Sequence, residues 1–567
     1  MPTRRAMWEQ LKGPVDLLVI GGGITGAGIA RDAARRGLSV ALVEMSDLAF
    51  GTSSRSSKLI HGGLRYLEHY EFSLVFEAVS ERRILQDIAP HLVNPLGFLF
   101  PVYAGARRQL WLINAGMWLY DGLSLFRSPK IHKNLKPREV AKLEPALKRE
   151  RLKGAPLYYD CSTDDARLTL ETALDAAAHG AVIATWAKAR SFLKTETGRV
   201  RGAVVSDELG GELKQIEART VVNATGPWTD RTIAMSHPLA SGKILRPTKG
   251  IHIVVDHEKL PLSNAVVCFH PTDERVLFAI PWGDRTYLGT TDTDYDGDPA
   301  LVRATLEDVD YLIDASNSYF PSHPLRREDV IATWAGVRPL MAPQDRSADL
   351  KESAVSREHQ ILIGQDGLIT IAGGKLTTYR RMAAEVVDTA VRLLELERGP
   401  LDLAPAATNK APLPGAVGWP DDDDHAKVAE EVAKAGHPRV PEDVARHLAD
   451  TYGMRALEIA RRMAKDASAC ERLVPGRPEV MAQVDWAVHE ELAATVCDVM
   501  IRRTQLFYRD RDQGLGAAES VAARMARELG WDDATRQREL ERYREEVARS
   551  RAWRDEIAGD ERASAAV

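Results

Sequence analysis

The stretch VDLLVIGGGITGAGIARDAARRGLSVALVE (residues 15–44) constrains the fold more than any other part of the chain. A short apolar run is followed by Gly21, Gly23 and Gly26 in the spacing G-x-G-x-x-G, then by an alanine-rich segment and a second apolar run that ends at Glu44. Such glycines form a tight turn, let a pyrophosphate approach the backbone and let the helix pack on the strand, while an acid about 20 residues later reaches the adenosine ribose. The stretch therefore predicts a Rossmann-like dinucleotide-binding unit, and an acid at residue 44 disfavours NADP.

Three later segments favour a long cofactor such as FAD. GTSSRSS (51–57) is a hydroxyl-rich loop directly after the second predicted strand, and RTVVNATGPWTD (219–230) is an apolar strand that ends in Ala-Thr-Gly. GLITIAGGKLTTYRRMAAEVVDTAV (367–391) is a strand, a Gly-Gly turn and a helix, so a second helix N-terminus faces something polar. Separated pieces that converge on one ligand indicate an extended cofactor.

Composition excludes several functional classes. The chain has 567 residues, which predicts two or three domains, and its net charge of −6 argues against nucleic-acid binding. Its four cysteines form no CxxC pair, which favours a reducing compartment and gives no metal or disulfide framework.

DTDYDGD (292–298) resembles the start of a calcium-binding loop, but position 12 is Arg303 instead of glutamate. We therefore expect no metal, and a turn beside a sheet at this place.

The fold class that these patterns predict is α/β, with a discontinuous Rossmann-like FAD-binding domain, an antiparallel β-sheet substrate domain (α+β) and a helical C-terminal domain. The predicted boundaries are 14–100, 160–245 and 355–395 for the FAD-binding domain, 101–159 and 246–354 for the substrate-binding cap, 396–426 for a Pro/Ala-rich linker, and 427–567 for the helical domain. Within the linker, the acidic run 421–424 fits a solvated segment or a helix start.

One apolar segment leaves two interpretations open. WLINAGMWLYDGLSLF (111–126) carries aromatic residues and is flanked by cations, a pattern that suits a membrane surface. A buried helix of a large domain would show the same composition. No run of about 20 apolar residues predicts a membrane span, and residues 1–13 do not read as a signal peptide.

Together the motifs resemble the FAD-dependent glycerol-3-phosphate dehydrogenases, the aerobic, respiratory enzymes of the glycine/D-amino-acid oxidase superfamily. The resemblance runs from about residue 14 to about 392 and is carried by IGGGITGAGIARDAARRGLSVALVE, TSSRSSKLIHGGLRYLEHYEF, VVNATGPW, IPWGDRTYLGTTDTDYDGDP, WAGVRPL and GGKLTTYR. It implies oxidation of sn-glycerol 3-phosphate to dihydroxyacetone phosphate, non-covalent FAD, and a membrane quinone as acceptor. It also implies a cytoplasmic protein, peripherally associated with the cytoplasmic face of the inner membrane, and leaves a homodimer open.

The resemblance also assigns residues to the substrate site. The implied catalytic candidates are Arg338, Lys375, His61 and His252, and the implied substrate ligands are Arg65, Tyr66, Arg338, Arg357 and Lys375. His61 is either the base or a hydrogen-bond partner of the flavin, and Arg357 matches the phosphate-binding arginine. His252 alternates with two isoleucines on a predicted strand, so a structural histidine is the alternative. Lys375 lies at a helix start, where a cation is unfavourable unless a ligand anion compensates it.

The candidate cofactor contacts come from the glycine turn, the hydroxyl-rich loop and the two later glycine-containing turns. They are Gly21, Gly23, Thr25, Gly26, Glu44, Thr52, Ser53, Ser54, Ser57, Lys58, His61, Gly62, Gly63, Ala224, Gly226, Gly374, Lys375, Leu376, Thr377 and Thr378. Three other functions stay open: an oxidase of the same family that uses O₂, an FAD-dependent amine or amino-acid oxidase, and a nucleotide-binding sensor on the same fold.

Overall fold

The computed structural model describes residues 3–63, 71–106, 109–123, 130–236, 242–342 and 359–557. Its strands fall into two sheets. They are β1 (Val15–Ile20), β2 (Val40–Val43), β3 (Leu59–Ile60), β4 (Asn94–Leu99), β5 (Val102–Tyr103), β6 (Lys133–Leu135), β7 (Leu152–Ser162), β8 (Val182–Ala184), β9 (Ala187–Lys194), β10 (Val200–Asp207), β11 (Leu213–Asn223), β12 (Leu245–Asp256), β13 (Ala265–Phe269), β14 (Val276–Trp282), β15 (Arg285–Gly289), β16 (Thr293–Asp294), β17 (Ala332–Met341), β18 (Gln360–Ile363) and β19 (Ile369–Ala372).

Helices cover both sheets and make up most of the C-terminal third. They are α1 (Arg4–Gln10), α2 (Ile24–Arg36), α3 (Phe72–Ile88), α4 (Leu110–Leu123), α5 (Pro137–Leu143), α6 (Asp165–Ala178), α7 (Thr229–Ser236), α8 (Leu306–Tyr319), α9 (Tyr379–Arg398), α10 (His425–Ala435), α11 (Glu442–Tyr452), α12 (Ala456–Lys465), α13 (Met481–Glu490), α14 (Leu506–Arg509), α15 (Leu515–Leu529) and α16 (Asp533–Arg551). A π-helical turn, Asp498–Arg503, precedes α14.

The first sheet has the strand order β18-β19-β11-β1-β2-β8, and β1 runs parallel to both β2 and β11. Side chains alternate between the two faces of a strand, and both faces of β1 are covered by other parts of the protein. Leu17 and Val19 pack with the helices α2, α6 and α9, whereas Leu18 and Ile20 pack beneath the antiparallel β9–β10–β11 meander. The continuous apolar run that the sequence shows is the result of this double burial.

The second sheet is mainly antiparallel, in the order β16-β12-β15-β14-β13-β4-β7-β3, with β17 paired to β12. One face packs against α5 and α8, and the other packs against C-terminal side chains such as Val484, Val521 and Tyr543. The strands β3 and β4 belong to this sheet, although their residues fall inside the predicted 14–100 segment. The two sheets and the helical region confirm the predicted fold class.

The segment between α9 and α10 lies along the helices of the first sheet. Its backbone N–H groups at Ala404 and Leu413 donate to the carbonyl oxygens of Arg36 and Ile88, at 3.1 and 2.8 Å. The acidic run ends at Asp424, which caps α10 by accepting from the N–H of Ala426 at 2.9 Å. The C-terminal helix packs on β17 through paired bonds between Ser550 and Thr333.

The apolar segment that the sequence left ambiguous forms α4, which has one buried and one exposed face. Ile113, Met117 and Tyr120 are buried, while Trp111 and Trp118 are 65% and 58% exposed. Within the described ranges, no helix combines the length and the apolarity needed to cross a bilayer.

Candidate active site

A cavity of about 500 Å³ is lined by residues from both sheets. At one end it meets the turn after β1 and the end of β2, and at the other end it meets β12, β17 and the turn after β19. Ligands in open α/β sheets bind beyond the carboxyl ends of the parallel strands, so the first end is where a dinucleotide is expected.

The glycine turn after β1 has the shape that a pyrophosphate needs. Gly21 has φ 111°, a backbone conformation that residues other than glycine rarely adopt. A Cβ at Gly26 would collide with the carbonyl oxygen of Gly21. The N-cap of α2 is Gly23, which supplies no side-chain cap, and Ser53 Oγ accepts from the N–H of Ile24 at 2.9 Å. The remaining first-turn N–H groups of α2 are available for an anion.

Glu44 lies at the end of β2, on the cavity wall, and is 8% exposed. Its carboxylate accepts from the backbone N–H of Gly22 at 2.7 Å and from that of Ser46 at 3.0 Å. Burial raises the pKa of Glu44 to about 7, although the two backbone N–H groups oppose that rise. The glycine cradle, the N-terminus of α2 and this acid on one wall fit the adenosine diphosphate portion of FAD.

Two segments that are far apart in sequence meet at the other end of the cavity. The backbone N–H of His61 donates to Thr377 Oγ1 at 3.1 Å, and the Thr377 hydroxyl donates to the carbonyl oxygen of His61 at 3.2 Å. This reciprocal pair joins the loop after β3 to the turn after β19. It places His61 and Lys375 on the wall of the same cavity.

His252 is buried on β12, and its ring stacks on Trp334 at 4.7 Å between ring centroids. Its Nε2 is 2.9 Å from Ser57 Oγ, while its Nδ1 is buried and has no hydrogen-bond partner among the residues that the structure describes. Burial, together with the charges of Arg338 and Lys58, lowers the pKa of His252 well below 6.5. The imidazole is therefore neutral at pH 7.

Arg338 is held on β17 by an acid and a hydroxyl from the loop after β15. Its Nη1 donates to Asp292 Oδ1 at 2.9 Å, and its Nη2 donates to Thr290 Oγ1 at 2.9 Å and to the carbonyl oxygen of Thr291 at 3.1 Å. These bonds orient the guanidinium beside the cavity, where it can meet an anionic or hydroxylated ligand.

Lys375 is half-buried, and it follows two glycines of positive φ, Gly373 at 75° and Gly374 at 89°. It is the N-cap of the short turn Leu376–Thr378 that leads into α9. The structure therefore brings this cation to a helix start on the cavity wall, where a bound anion would stabilise its positive charge.

The structure brings most of the predicted cofactor residues to the cavity wall. The residues on the wall are Gly21, Gly23, Thr25, Glu44, Thr52, Ser53, Ser57, His61, Ala224, Gly226, Gly374, Lys375 and Leu376. The predicted residues Gly26, Ser54, Lys58, Gly62, Gly63, Thr377 and Thr378 are not on it. Lys58, for example, is buried against Asp165 Oδ1 at 2.6 Å. Arg65, Tyr66 and Arg357 lie outside the described residues.

Sequence reasoning did not identify several residues that organise this site. Asp292 belongs to the DTDYDGD motif, which the sequence analysis interprets as a turn, yet its carboxylate pairs with Arg338. Asp47, three residues after Glu44, is fully buried and pairs with Arg502 and Arg503 of the π-helical turn. The position of Asp292 in an acidic motif was the available signal, whereas no sequence feature pointed to the partners of Asp47.

Comparison with known families gives matches along both parts of the chain. A sequence profile of the FAD dependent oxidoreductase family matches residues 16–380, and a profile of the C-terminal domain of alpha-glycerophosphate oxidase matches residues 406–536. The aerobic glycerol-3-phosphate dehydrogenases of Staphylococcus epidermidis and Staphylococcus aureus are 38% and 39% identical to this chain over 533 residues. Each alignment spans 94% of this chain and 93% of the relative.

Solved structures with a similar fold agree with these sequence matches. The glycerol-3-phosphate dehydrogenase from Bacillus halodurans, crystallised with FAD, superposes with a TM-score of 0.79 at 34% identity, covering 97% of this chain and 98% of that one. The FAD-bound L-alpha-glycerophosphate oxidase from Mycoplasma pneumoniae has a TM-score of 0.52 at 18% identity, covering 70% of this chain and 99% of its own, which is a likeness of fold.

Proposed function

This chain belongs to the family of FAD-dependent glycerol-3-phosphate dehydrogenases, and from that premise we propose that it oxidises sn-glycerol 3-phosphate to dihydroxyacetone phosphate and passes the electrons to a membrane quinone. One observation carries the proposal: a single cavity joins a dinucleotide cradle to Arg338, Lys375 and a neutral His252. A phosphorylated secondary alcohol needs this combination of a redox cofactor, fixed cations and a proton acceptor.

We assign the proton transfer to His252. When bound, FAD supplies the acceptor for the hydride that leaves C2 of the substrate. The hydroxyl proton needs a base, and an imidazole that stays neutral at pH 7 can take it. Nε2 lies 2.9 Å from the hydroxyl of Ser57, a residue of the cavity wall, so the proton can reach Nε2 through that hydroxyl, whereas Nδ1 is buried away from the cavity.

We assign the positioning of the substrate to the cations. Arg338, fixed by Asp292, faces the developing charge on the C2 oxygen, and Lys375 lies on the same wall. A phosphate calls for arginine forks, and Arg65 and Arg357, with Tyr66, remain the proposed ligands for it, outside the described residues.

The direct test is anaerobic. Adding glycerol 3-phosphate to the purified flavoprotein should abolish the oxidised flavin absorbance, whereas glycerol, which lacks the phosphate, should do so far more slowly. Glycine and other amines test the amino-acid oxidase alternative in the same experiment. A colourless protein that FAD cannot reconstitute, or a flavin that glycerol 3-phosphate leaves oxidised, would contradict the proposal.

The electron acceptor has a specific rival. The C-terminal profile that matches residues 406–536 is described for an oxidase, which would pass electrons to O₂ and release peroxide. We favour a quinone because α4 exposes an apolar face through which a protein could approach lipid. The peroxide formed per turnover, measured with and without a quinone analogue, decides between them: near-stoichiometric peroxide that the analogue does not suppress would favour the oxidase.

The exposed face of α4 is the proposed contact with the cytoplasmic face of the membrane. It carries Trp111, Leu112, Trp118 and Leu119, each at least 43% exposed. Aromatic and aliphatic side chains on one helix face are typical of interfacial helices. Replacing Trp111 and Trp118 by Ser should reduce co-sedimentation with phospholipid vesicles at least about tenfold, because each ring contributes buried apolar area. The matched control is Leu396→Ser, an 84% exposed residue on α9, which should bind vesicles as the unmodified protein does.

A further inference from the structure

The loop 61–63, which carries His61 to the cavity, is held from two sides. Thr377 binds both backbone groups of His61 on one side. On the other side, the N–H of Gly62 is 3.1 Å from Tyr120 Oη and 3.2 Å from Asp160 Oδ1. The second set of partners is buried and lies off the cavity wall.

Tyr120, Asp160 and Arg82 form a compact hydrogen-bonded cluster. The Tyr120 hydroxyl donates to Asp160 Oδ1 at 2.7 Å, and Arg82 Nη1 donates to Tyr120 Oη at 3.2 Å and forms an ion pair with Asp160. Each of the three residues is no more than 2% exposed. A buried ion pair of this kind adds little net stability compared with apolar packing, but it fixes a geometry. We therefore consider which backbone group the cluster orients, and that group is the N–H of Gly62.

The cluster orients Gly62 and leaves no room for a side chain at this position. A Cβ at Gly62 would collide with Tyr120 Oη and would lie 2.5 Å from Val79 Cγ1. We propose that Tyr120, held by the Asp160–Arg82 pair, is a positioning residue that fixes the Gly62 peptide and thereby the place of His61 in the active site. The proposal rests on the proposed function insofar as it concerns the reaction at that site.

Tyr120 also connects the loop 61–63 to the position of α4. Tyr120 lies on the buried face of α4, next to Trp118 and Leu119 on the exposed face. The geometry of the loop therefore depends on how α4 is seated. Small displacements of a reacting group cost rate more than they cost binding, because the reactive arrangement tolerates less error than the bound one.

The test compares Tyr120→Phe with Tyr158→Phe in the holoenzyme. Tyr158 is also buried, its ring contacts that of Tyr120 at 6.1 Å between centroids, and among the described residues it makes no hydrogen bond to the loop. In anaerobic stopped-flow, Tyr120→Phe should lower the limiting rate of flavin reduction about tenfold while the dissociation constant of glycerol 3-phosphate changes less than about twofold. Tyr158→Phe should change neither. Equal limiting rates in the two variants would overturn the proposal.

A second readout does not depend on catalysis. Amide hydrogen exchange at Gly62 should be about tenfold faster in Tyr120→Phe than in Tyr158→Phe or the unmodified protein, since one of its two acceptors is removed. Unchanged exchange at Gly62 would overturn the positioning role. If the unmodified holoenzyme is not reduced by glycerol 3-phosphate, the proposed function fails, and the exchange measurement then decides the positioning role by itself.

Discussion

The two ends of the cavity are assembled in different ways. At the cofactor end, the polar contacts of the turn after β1 join near neighbours: Gly22 and Glu44 are 22 residues apart, and Ile24 and Ser53 are 29 apart. At the substrate end, Ser57 contacts His252 across 195 residues and His61 contacts Thr377 across 316. The glycine turn at the cofactor end therefore depends on local backbone shape, while the substrate end depends on how the two sheets pack. Substitutions should separate these two dependences.

The largest effect on FAD binding is expected from Gly26→Ala at the cofactor end. The added Cβ would collide with the carbonyl oxygen of Gly21, which neither the strand nor the helix can move without loss of packing. We expect FAD affinity to fall about 100-fold, so that much of the protein purifies without colour. The control is Gly116→Ala on α4, where nothing lies within 4 Å of the new Cβ, and FAD should be fully retained. Full flavin occupancy in Gly26→Ala would contradict this account.

A second prediction concerns Asp47, where the cofactor end depends on the C-terminal region. Burial acts to raise the pKa of Asp47, but Arg503 and Arg502 outweigh it and lower that pKa below 3.8. Asp47→Asn would remove the carboxylate that the two buried guanidinium groups share and leave them only Asp498 and Glu491 as counter-charges. Urea denaturation should therefore show a loss of about 3 kcal/mol, the lower end of the cost of breaking a buried pair. Asp443→Asn, which breaks an exposed pair with Arg472, should cost under about 1 kcal/mol. Similar losses of unfolding free energy in the two variants would show that the buried pairs of Asp47 contribute no more to stability than an exposed pair.

The predictability of the two ends differs for the same reason. The bounds of β1, α2 and β2 follow the sequence pattern closely, because glycine spacing and apolar runs act locally. Lys58 is predicted as a cofactor contact, and no local pattern reveals its pairing with Asp165, which is 107 residues away. Arg338 was identified by resemblance, while its partner Asp292 was interpreted as part of a turn. Partners brought together by sheet packing are not visible in a single sequence.

At the substrate end, Arg338→Ala should have a kinetic effect without a cofactor effect. Loss of one oriented charge donor typically costs 10²–10³ in rate, so we expect kcat/KM for glycerol 3-phosphate to fall by about that factor while FAD content is unchanged. The control is Arg246→Ala, which removes a half-buried arginine of β12 that binds Asp294 of β16 at 2.8 Å. It should leave kcat/KM within about twofold. Loss of FAD in Arg338→Ala would show that the two ends are not separable.

The smallest effect is expected from Glu44→Gln, and it depends on pH. Burial raises the pKa of Glu44 from 4.5 to about 7, so between these values the folded FAD-free protein binds more protons than the unfolded chain. Stability contributed by this group is therefore present below about pH 4.5 and is lost as pH rises towards 7. Glutamine does not titrate, so in urea denaturation of the FAD-free protein the variant should match the unmodified protein at pH 4.5.

At pH 8 the glutamine variant should be more stable by at most about 3 kcal/mol, while it retains FAD less well because the ribose loses a charged acceptor. Glu217→Gln, on the exposed face of β11, should show no such pH-dependent gain. A stability difference that is the same at both pH values would mean that the carboxyl is not desolvated in the folded protein. Glu44 would then not be the buried acid on which the cofactor end depends.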